Sequence, residues 1–414
     1  MSDSKPHNPY AAIQVRDFRF FILSRLFITV AVMIQAVVVG WQVYEITKDP
    51  LSLGMIGLTE AIPAIIVSLY AGHLADIVER KKIITLCIFT LALCSSALLF
   101  FTLNVGAFIL ANGVLPIYAV IFVSGIARGF LSPAQFSFMP QLIDRELYQN
   151  AITWNSTIWE GASVGGPMIG GLVYGFFGIT AAYSVDAVLT FISLVCLLMV
   201  PNRPLPPVTE EQNIWEKITA GIKFVFNNQI VLGAITLDLF AVLFGGAVAL
   251  LPIFADDILH VGKIGLGFLR SAPSVGALLT AVYMTHHPIK KNLGKILLWC
   301  VAGFGFCMIG FGLSTSFWLS MALLILSGAF DCVSVITRST MIHTLTPENM
   351  KGRVSAVNSI FIGSSNEIGA FESGVVARLL GTARSVIFGG AMTLVVVATT
   401  AWKAVKLRKI DSLK

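Results

Sequence analysis

The sequence predicts an all-α membrane protein built from two pseudo-symmetric bundles of six transmembrane helices. Composition, twelve long apolar runs and an internal repeat support this prediction. Of the 414 residues, 56% are hydrophobic and 12% are charged, and the mean hydropathy is +0.84. Soluble domains have about 45–50% apolar and about 25% charged residues. The composition therefore excludes an ordinary soluble domain.

Twelve apolar runs long enough to cross a bilayer follow one another along the chain. Hydrocarbon about 30 Å thick requires about 20 apolar residues in a helical span. The ten-residue alternating pattern of an outer-membrane barrel does not occur in the sequence. The runs lie at roughly 19–44, 52–75, 83–103, 115–139, 152–177, 181–200, 229–254, 265–286, 293–314, 317–341, 355–380 and 383–402.

An internal repeat relates the two halves. Residues 124–178 align without a gap on residues 327–381 at a constant shift of 203. A second stretch agrees at a slightly different shift, because Gly57 and Pro63 recur as Gly267 and Pro273. Repeats of this length in an apolar chain are typical of transporters. Six spans per half is an even number, so the halves are expected to be parallel repeats about an axis along the membrane normal.

A polar interruption at residues 201–229 separates the halves. Its prolines end the sixth span, and the amphipathic stretch that follows is expected to form a helix on the inner membrane face. We therefore predict one bundle at residues 1–200, a cytoplasmic linker at 201–228 and a second bundle at 229–414.

The distribution of basic residues predicts the orientation. Segments on the side of the N-terminus contain twenty Lys and Arg residues, and the opposite loops contain four. Cytoplasmic loops carry this excess, so both termini are expected in the cytoplasm, with the protein in a bacterial inner membrane. The net charge of +6 then reflects membrane topology, and no nucleic-acid partner is expected.

The loop between spans two and three carries a recognisable motif. Its sequence GHLADIVERKK begins at Gly72 and resembles the major facilitator signature G-x-L-A-D-R-x-G-R-K/R. Gly72, Asp76, Arg80 and Lys81 match, whereas positions 77 and 79 depart from it. The resemblance implies a gating role. The alternative is that these basic residues only anchor the loop at the inner membrane face.

Further stretches narrow the resemblance. They are residues 16–19 (RDFR), 41–44 (WQVY), 49–51 (DPL), 125–128 (GIAR) and 132–134 (SPA). Together they are similar to the drug-efflux branch of the major facilitator superfamily, which includes macrolide efflux proteins and the enterobactin exporter. In span five, Gly166 and Pro167 belong to a run that resembles the antiporter signature G-x-x-x-G-P-x-x-G-G, with alanine at the first glycine. This run predicts close helix packing and implies export.

Ionisable residues inside the spans are the first candidates for a site, because burying a charge in a membrane is costly. Arg128 aligns with Asp331, and Glu60 aligns with Arg270, with the sign of the charge reversed in each pair. The resemblance implies that spans one, four, seven and ten line a cavity. Arg128 and Asp331 are therefore expected at that cavity, and the alternative is local pairing within each half. Glu60 and Arg270 are expected to form a structural or outer-gate pair.

Asp238 in span seven is the main candidate for proton coupling. A carboxyl group in apolar surroundings retains a proton more readily than one in water. Glu160, Glu367 and Glu372 are alternative candidates. Asp186, at the start of span six, is interpreted instead as a solvated helix end.

Aromatic and neutral polar residues on the spans complete the candidate binding site. A pocket with many aromatic groups and few directed hydrogen bonds suits an amphipathic ligand. The candidates are Gln35, Trp41, Phe136, Asn155, Trp159, Phe244 and Asn358. The asparagines could instead bridge neighbouring helices.

These features favour a secondary active transporter that exports small amphipathic, drug-like molecules by proton-coupled alternating access. The alternatives are export of an endogenous siderophore or metabolite and, in another class, a sensor or scaffold without transport. The sequence contains no phosphate-binding loop and no nucleophile–base or metal constellation. It is therefore expected to be neither ATP-driven nor an enzyme. The expected partners are a small-molecule substrate, protons and the lipid bilayer, with no cofactor and a monomeric state.

Overall fold

The computed structural model describes residues 10–103, 112–204, 214–287, 289, 291–347, 350–408 and 410. Within these residues the secondary structure is helical and contains no strand. The longer helices are α1 (Arg16–Thr47), α2 (Pro50–Ile77), α3 (Arg80–Leu103), α4 (Leu115–Phe138), α5 (Tyr148–Leu198), α6 (Ile214–Asn227), α7 (Gln229–Phe244), α8 (Gly262–His286), α9 (Leu293–Leu313), α10 (Phe317–Leu345), α11 (Lys351–Leu380) and α12 (Thr382–Lys403).

The helices agree with the predicted spans. Ten helical segments of the described chain are long and apolar enough to cross a membrane. One of these, Arg145–Leu198, covers both predicted spans five and six. Helix α11 coincides with span eleven but is more polar, with two glutamates and Arg378 in its second half. The all-helical class is confirmed, and the pattern of helices is consistent with twelve spans.

The repeat is visible in the backbone. Gly178 and Gly381, which occupy equivalent positions, have φ angles of +83° and +91°. Their ψ angles are 177° and 152°. This combination is essentially restricted to glycine. Each glycine therefore forms the same sharp turn, between spans five and six in the first half and between α11 and α12 in the second.

The small residues shared by the two copies of the repeat also pack alike. A Cβ atom at Gly166 of α5 would lie 2.5 Å from the Cβ of Met33 in α1. At Gly369 of α11 it would lie 2.6 Å from the carbonyl oxygen of Leu243 in α7. Glycine at these positions lets the helix backbones approach closely, as in other membrane helix pairs. The close packing predicted at Gly166 is therefore present, and Pro167 beside it is buried.

The chain divides into two compact units that do not follow the order of the sequence. The first unit comprises Met1–Val38 and Ile62–Thr209, and the second comprises Val39–Ala61 and Glu210–Lys414. Residues at the end of α1 and the start of α2 thus belong to the same unit as α7–α12. A cluster of buried side chains that includes Phe18, Phe21 and Phe138 stabilises the first unit.

Helix α6 forms where the sequence predicts an amphipathic helix in the linker. Val225 on this helix is fully buried against Val231, Ile235 and Ile342 of the second unit. Phe226, its neighbour, is exposed. The helix therefore packs on α7, α10 and α11 through one apolar side, and its location on the inner membrane face stays a prediction.

Candidate functional site

A buried ion pair links α7 and α10 in the second unit. Asp238 and Arg338 are 4% and 3% exposed, and a guanidinium nitrogen of Arg338 contacts a carboxylate oxygen of Asp238. The neighbouring side chains on α7 are apolar, with Ala234, Leu237 and Ala241 buried near Asp238. Breaking a buried ion pair by neutralising one partner typically costs about 3–5 kcal/mol. Any event that protonates Asp238 therefore has a large effect on this part of the molecule.

Further polar groups extend from the pair along α10. Asp331 lies seven residues before Arg338, hence on the same face of the helix, and interacts electrostatically with both members of the pair. The hydroxyl oxygens of Ser334 and Thr337 are buried without a hydrogen-bond partner among the described residues. Buried polar atoms are almost always hydrogen-bonded. These groups thus form a polar surface on α10 with unused hydrogen-bonding capacity. We name Asp238, Asp331, Ser334, Thr337 and Arg338 the α7–α10 polar cluster.

Arg338 is a site residue that the sequence analysis does not identify. The sequence does contain a signal that could have identified it, because Arg338 is a basic residue two helical turns after Asp331 in the same apolar run. The structure brings Asp331 together with Asp238 and Arg338 of its own half. Arg128 is half-buried in α4. The predicted role of Arg128 and Asp331 at a cavity stays a prediction.

The second group of charges in this unit involves α8, α11 and the beginning of α2. Glu367 of α11 interacts electrostatically with Arg270 of α8. One carboxylate oxygen of Glu367 lies 3.1 Å from the position that a Cβ atom of Gly57 would occupy. Glu60, one turn beyond Gly57 on α2, is half-buried. The structure thus places Glu367, predicted as a proton-coupling candidate, beside Arg270, predicted as a gating residue.

The remaining candidate acids lie on the repeated helices. Glu372 of α11 is half-buried and hydrogen-bonded to Ser373. Glu160 of α5 is also half-buried, in the first unit. Neither forms an ion pair among the contacts that the described residues show, so both remain candidates for protonation.

Two equivalent asparagines share an unusual environment. The side-chain oxygens of Asn155 on α5 and Asn358 on α11 are both buried, and neither has a hydrogen-bond partner within the described part of the chain. The two positions correspond in the repeat. An unsatisfied buried oxygen costs about 1–3 kcal/mol, and here the same cost occurs in each half. The two halves therefore have the same unpaired acceptor at equivalent positions among the described residues.

The aromatic candidates differ in their exposure. Trp41 is buried, and its indole nitrogen finds no hydrogen-bond acceptor in the ranges that the structure describes. Phe244 is half-buried and stacks on Phe240, with ring centroids 6.2 Å apart. Phe136 and Trp159 are exposed. Their large uncovered faces leave them available to lipid or ligand.

The interpretation of Asp186 as a solvated helix end is wrong. Asp186 is 1% exposed, accepts a hydrogen bond of 3.4 Å from Nε2 of Gln35 and is hydrogen-bonded to Ser95. The partners Gln35 and Ser95 come from two other helices, so the burial of Asp186 depends on packing that the sequence does not show. Gln35, predicted as a cavity residue, is thereby engaged within the first unit.

The signature loop is described in part. Arg80 donates a hydrogen bond of 2.9 Å to the carbonyl oxygen of Ser137, and Lys81 donates one of 3.4 Å to that of Leu198. Both acceptors lie at the C-terminal ends of helices, where cations are favourable. The surroundings of Gly72 and the side chain of Asp76 lie outside what the structure describes. The basic half of the motif therefore ties α3 to α4 and α5.

Residues 44–49, at the turn between α1 and α2, are bound by charged and polar contacts to the second half of the chain. The turn requires an unusual backbone at Lys48, with φ +48°. The partners of residues 44–49 include Asp256 and Asp257, which lie on the π-helix Phe254–Ile258. The contacts are Tyr44 hydroxyl to Asp257, Lys48 to Asp256 at 2.6 Å, Lys263 to Glu45 at 3.7 Å and Arg378 to Asp49 at 3.8 Å.

Solved structures of transporters have the same fold. A POT family transporter, PepTSo, superimposes with a TM-score of 0.73 at 14% identity, covering 95% of this chain and 98% of that chain. A bacterial homologue of the human lysosomal transporter Spinster gives a TM-score of 0.70 at 13% identity, over 95% and 97% of the two chains. These matches show that the chain has the fold of these transporters.

Sequence comparison identifies the family. Residues 7–414 match the family described as transmembrane secretion effector, and the chain belongs to it. An enterobactin exporter EntS from Shigella dysenteriae serotype 1 is 28% identical over 94% of this chain and 92% of its own length. Its counterpart from Escherichia coli is 28% identical over 95% and 92%.

Proposed function

We propose that this transporter exports a small amphipathic molecule from the bacterial cytoplasm in exchange for protons. The observation that carries the proposal is the buried Asp238–Arg338 pair with Asp331 beside it. Asp238 and Arg338 are buried, and Asp331 beside them is half-buried. Ionisable groups within the spans are costly, and in membrane proteins they mark ion and substrate pathways.

The geometry supports an exchange of partners. With Asp238 ionised, Arg338 is neutralised by it. When Asp238 accepts a proton, Arg338 loses this counter-charge. Asp331 on the same helix interacts electrostatically with Arg338 and can then compensate its charge. Asp238 can therefore either carry a proton or form the ion pair with Arg338, but it cannot do both. Helices α7 and α10 are held together in one protonation state and released in the other.

Substrate binding is assigned to the polar groups that have no partner among the described residues. In the second unit the candidate acceptor is Asn358, and Trp41 and Phe244 are the candidate aromatic contacts. Asn155 is the equivalent candidate acceptor in the first unit. The predicted roles of Arg128, Glu60 and Arg270 remain part of this proposal.

The coupling role of Asp238 is tested in proteoliposomes with an imposed pH gradient. We expect Asp238→Asn to abolish transport against the substrate gradient, since asparagine cannot exchange a proton, while substrate exchange without a gradient continues. Asp144→Asn, at an exposed position outside the spans, is the matched control and should behave as the wild type. Gradient-driven transport by Asp238→Asn at the wild-type rate would contradict the assignment.

The names of the relatives favour a siderophore as the substrate, with drug-like compounds as the alternative. The supporting observation is 28% identity to enterobactin exporters over nearly the whole chain. We expect a deletion strain grown without iron to retain the siderophore inside the cell and to keep its resistance to toxic compounds. Unchanged siderophore release together with new drug sensitivity would instead assign the drug-like class.

A further inference from the structure

A cavity of about 850 Å³ lies between the start of α9 and the end of α12. One end of it is polar and is lined by Lys291, Lys295 and Arg408. The other end is apolar and is lined by Leu298, Trp299 and Val397. The cavity belongs wholly to the second unit and is separate from the α7–α10 polar cluster.

The end of the chain is folded back to form this cavity. The short helix Val405–Arg408 follows α12, and Leu407 on it contacts Gly294 in the first turn of α9. Leu407 is fully buried, and its carbonyl oxygen lies where a Cβ atom at position 294 would have to be, so only glycine fits there. The amide of Gly294 donates a hydrogen bond of 3.3 Å to the carbonyl oxygen of Ile410. These contacts fix Arg408 on the same cavity as the two lysines.

The polar end has an excess of positive charge. Three cations line it, and no acidic residue is among the described residues of its lining. Like charges held on one cavity repel each other. An anion bound between them removes this repulsion and gains a charge-assisted hydrogen bond from each cation.

Two tryptophans indicate the depth of the cavity in the membrane. Trp299 on its wall and Trp402 at the end of α12 are 73% and 76% exposed. Exposed tryptophans concentrate at the level of the lipid headgroups. The basic residues predict that this end of the molecule is cytoplasmic. The three cations are therefore at headgroup level, and the apolar wall continues from them into the hydrocarbon.

We propose that this cavity binds an anionic phospholipid of the cytoplasmic leaflet. The phosphate lies between Lys291, Lys295 and Arg408, and an acyl chain lies along Leu298, Trp299 and Val397. Basic pockets at the cytoplasmic ends of membrane helices bind anionic headgroups in this way. The apolar wall distinguishes a lipid from free phosphate, which would leave that wall without a partner.

The experiment uses the delipidated full-length protein in detergent, incubated with equal amounts of phosphatidylglycerol and phosphatidylcholine. Native mass spectrometry then measures which lipid is retained. We expect the wild type to retain phosphatidylglycerol preferentially and Lys291→Gln/Lys295→Gln to lose the preference. Lys403→Gln/Lys406→Gln removes the same charge from the same end of the chain, outside the cavity lining, and should keep it.

A second measurement separates a lipid site from a phosphate site. Trp299→Ala leaves all three cations in place, so it should weaken phosphatidylglycerol retention, and excess inorganic phosphate should fail to displace the lipid. Thermal unfolding of each variant checks that it is folded. Equal loss in both double variants, equal retention of the two lipids, or displacement by inorganic phosphate would each overturn the proposal.

Discussion

At the scale of single residues, two glycines set the course of the chain in both halves. Gly178 and Gly381 have backbone angles that a side chain makes unfavourable, although no neighbouring atom lies within 4 Å of the position that a Cβ atom would occupy at either residue. The requirement for glycine is therefore conformational and does not arise from crowding by neighbours. The repeat has glycine here in both copies because both turns need the same backbone.

This requirement predicts the effect of substitution. Gly381→Ala should lower the thermal stability of the purified protein, because a non-glycine residue in this region costs about 1–3 kcal/mol. Gly363→Ala is the matched control, since Gly363 is also open to solvent or lipid but lies within helix α11. Alanine there should leave stability unchanged or raise it by up to about 1 kcal/mol. Equal unfolding temperatures for the two variants would argue against a conformational role of Gly381.

The sequence predicts the identity of buried acids better than their partners. Asp238 is identifiable because a carboxylate within an apolar run is rare. Its partner Arg338 lies one hundred residues further along the chain, and only the packing of α10 on α7 brings the two together. For Asp186, the sequence analysis predicts a solvated position, whereas the structure shows a buried one. The burial of Asp186 depends on Gln35 and Ser95 from two other helices.

At the scale of elements, the turn between α1 and α2 is the feature that the sequence does not predict. Lys48 and Asp256 are 208 residues apart and form an ion pair whose side chains are partly exposed. The charges of residues 44–49 alternate in sign and meet complementary charges on α8, α11 and the π-helix. We propose that these contacts form in one conformation of the transporter, named the closed state, and separate in another.

Charge reversal tests this inference. Lys48→Asp alone should lower transport and increase labelling of a cysteine introduced near the turn, because like charges then oppose Asp256. The double variant Lys48→Asp/Asp256→Lys restores the attraction and should recover wild-type labelling. Each exposed pair contributes only about 0–1 kcal/mol, so the single change should shift the closed state without unfolding the protein. A double variant as impaired as the single one would exclude the pair as a contact of the closed state.

The pair also has a defined dependence on pH. The hydrogen bond from Lys48 to Asp256 raises the pKa of the Lys48 ammonium group above its ordinary value of 10.5. The stabilisation is therefore fully present below pH 10.5 and is lost as the pH rises through the raised pKa. At neutral pH the contact persists, so its opening during transport requires an energy source other than deprotonation of Lys48.

At the scale of the whole molecule, the sequence predicts the helical class and the twofold repeat because both depend on local patterns. Apolar runs indicate spans, and glycine recurs at equivalent close-packed positions such as Gly166 and Gly369. The compact units depend instead on contacts between distant segments. Residues 39–61 precede most of the first half in the chain and yet pack with the second, which no periodicity in the sequence indicates. The predicted boundaries at residues 200 and 229, and the orientation in the membrane, stay predictions.

This arrangement has a consequence for how the protein is joined together. The polypeptide linker between the halves is one connection, and the packing of residues 39–61 in the second unit is another that needs no peptide bond. A gene divided within the linker would encode a first fragment that still includes this segment. The two fragments, synthesised separately in one cell, should therefore assemble through residues 39–61 without an intact linker.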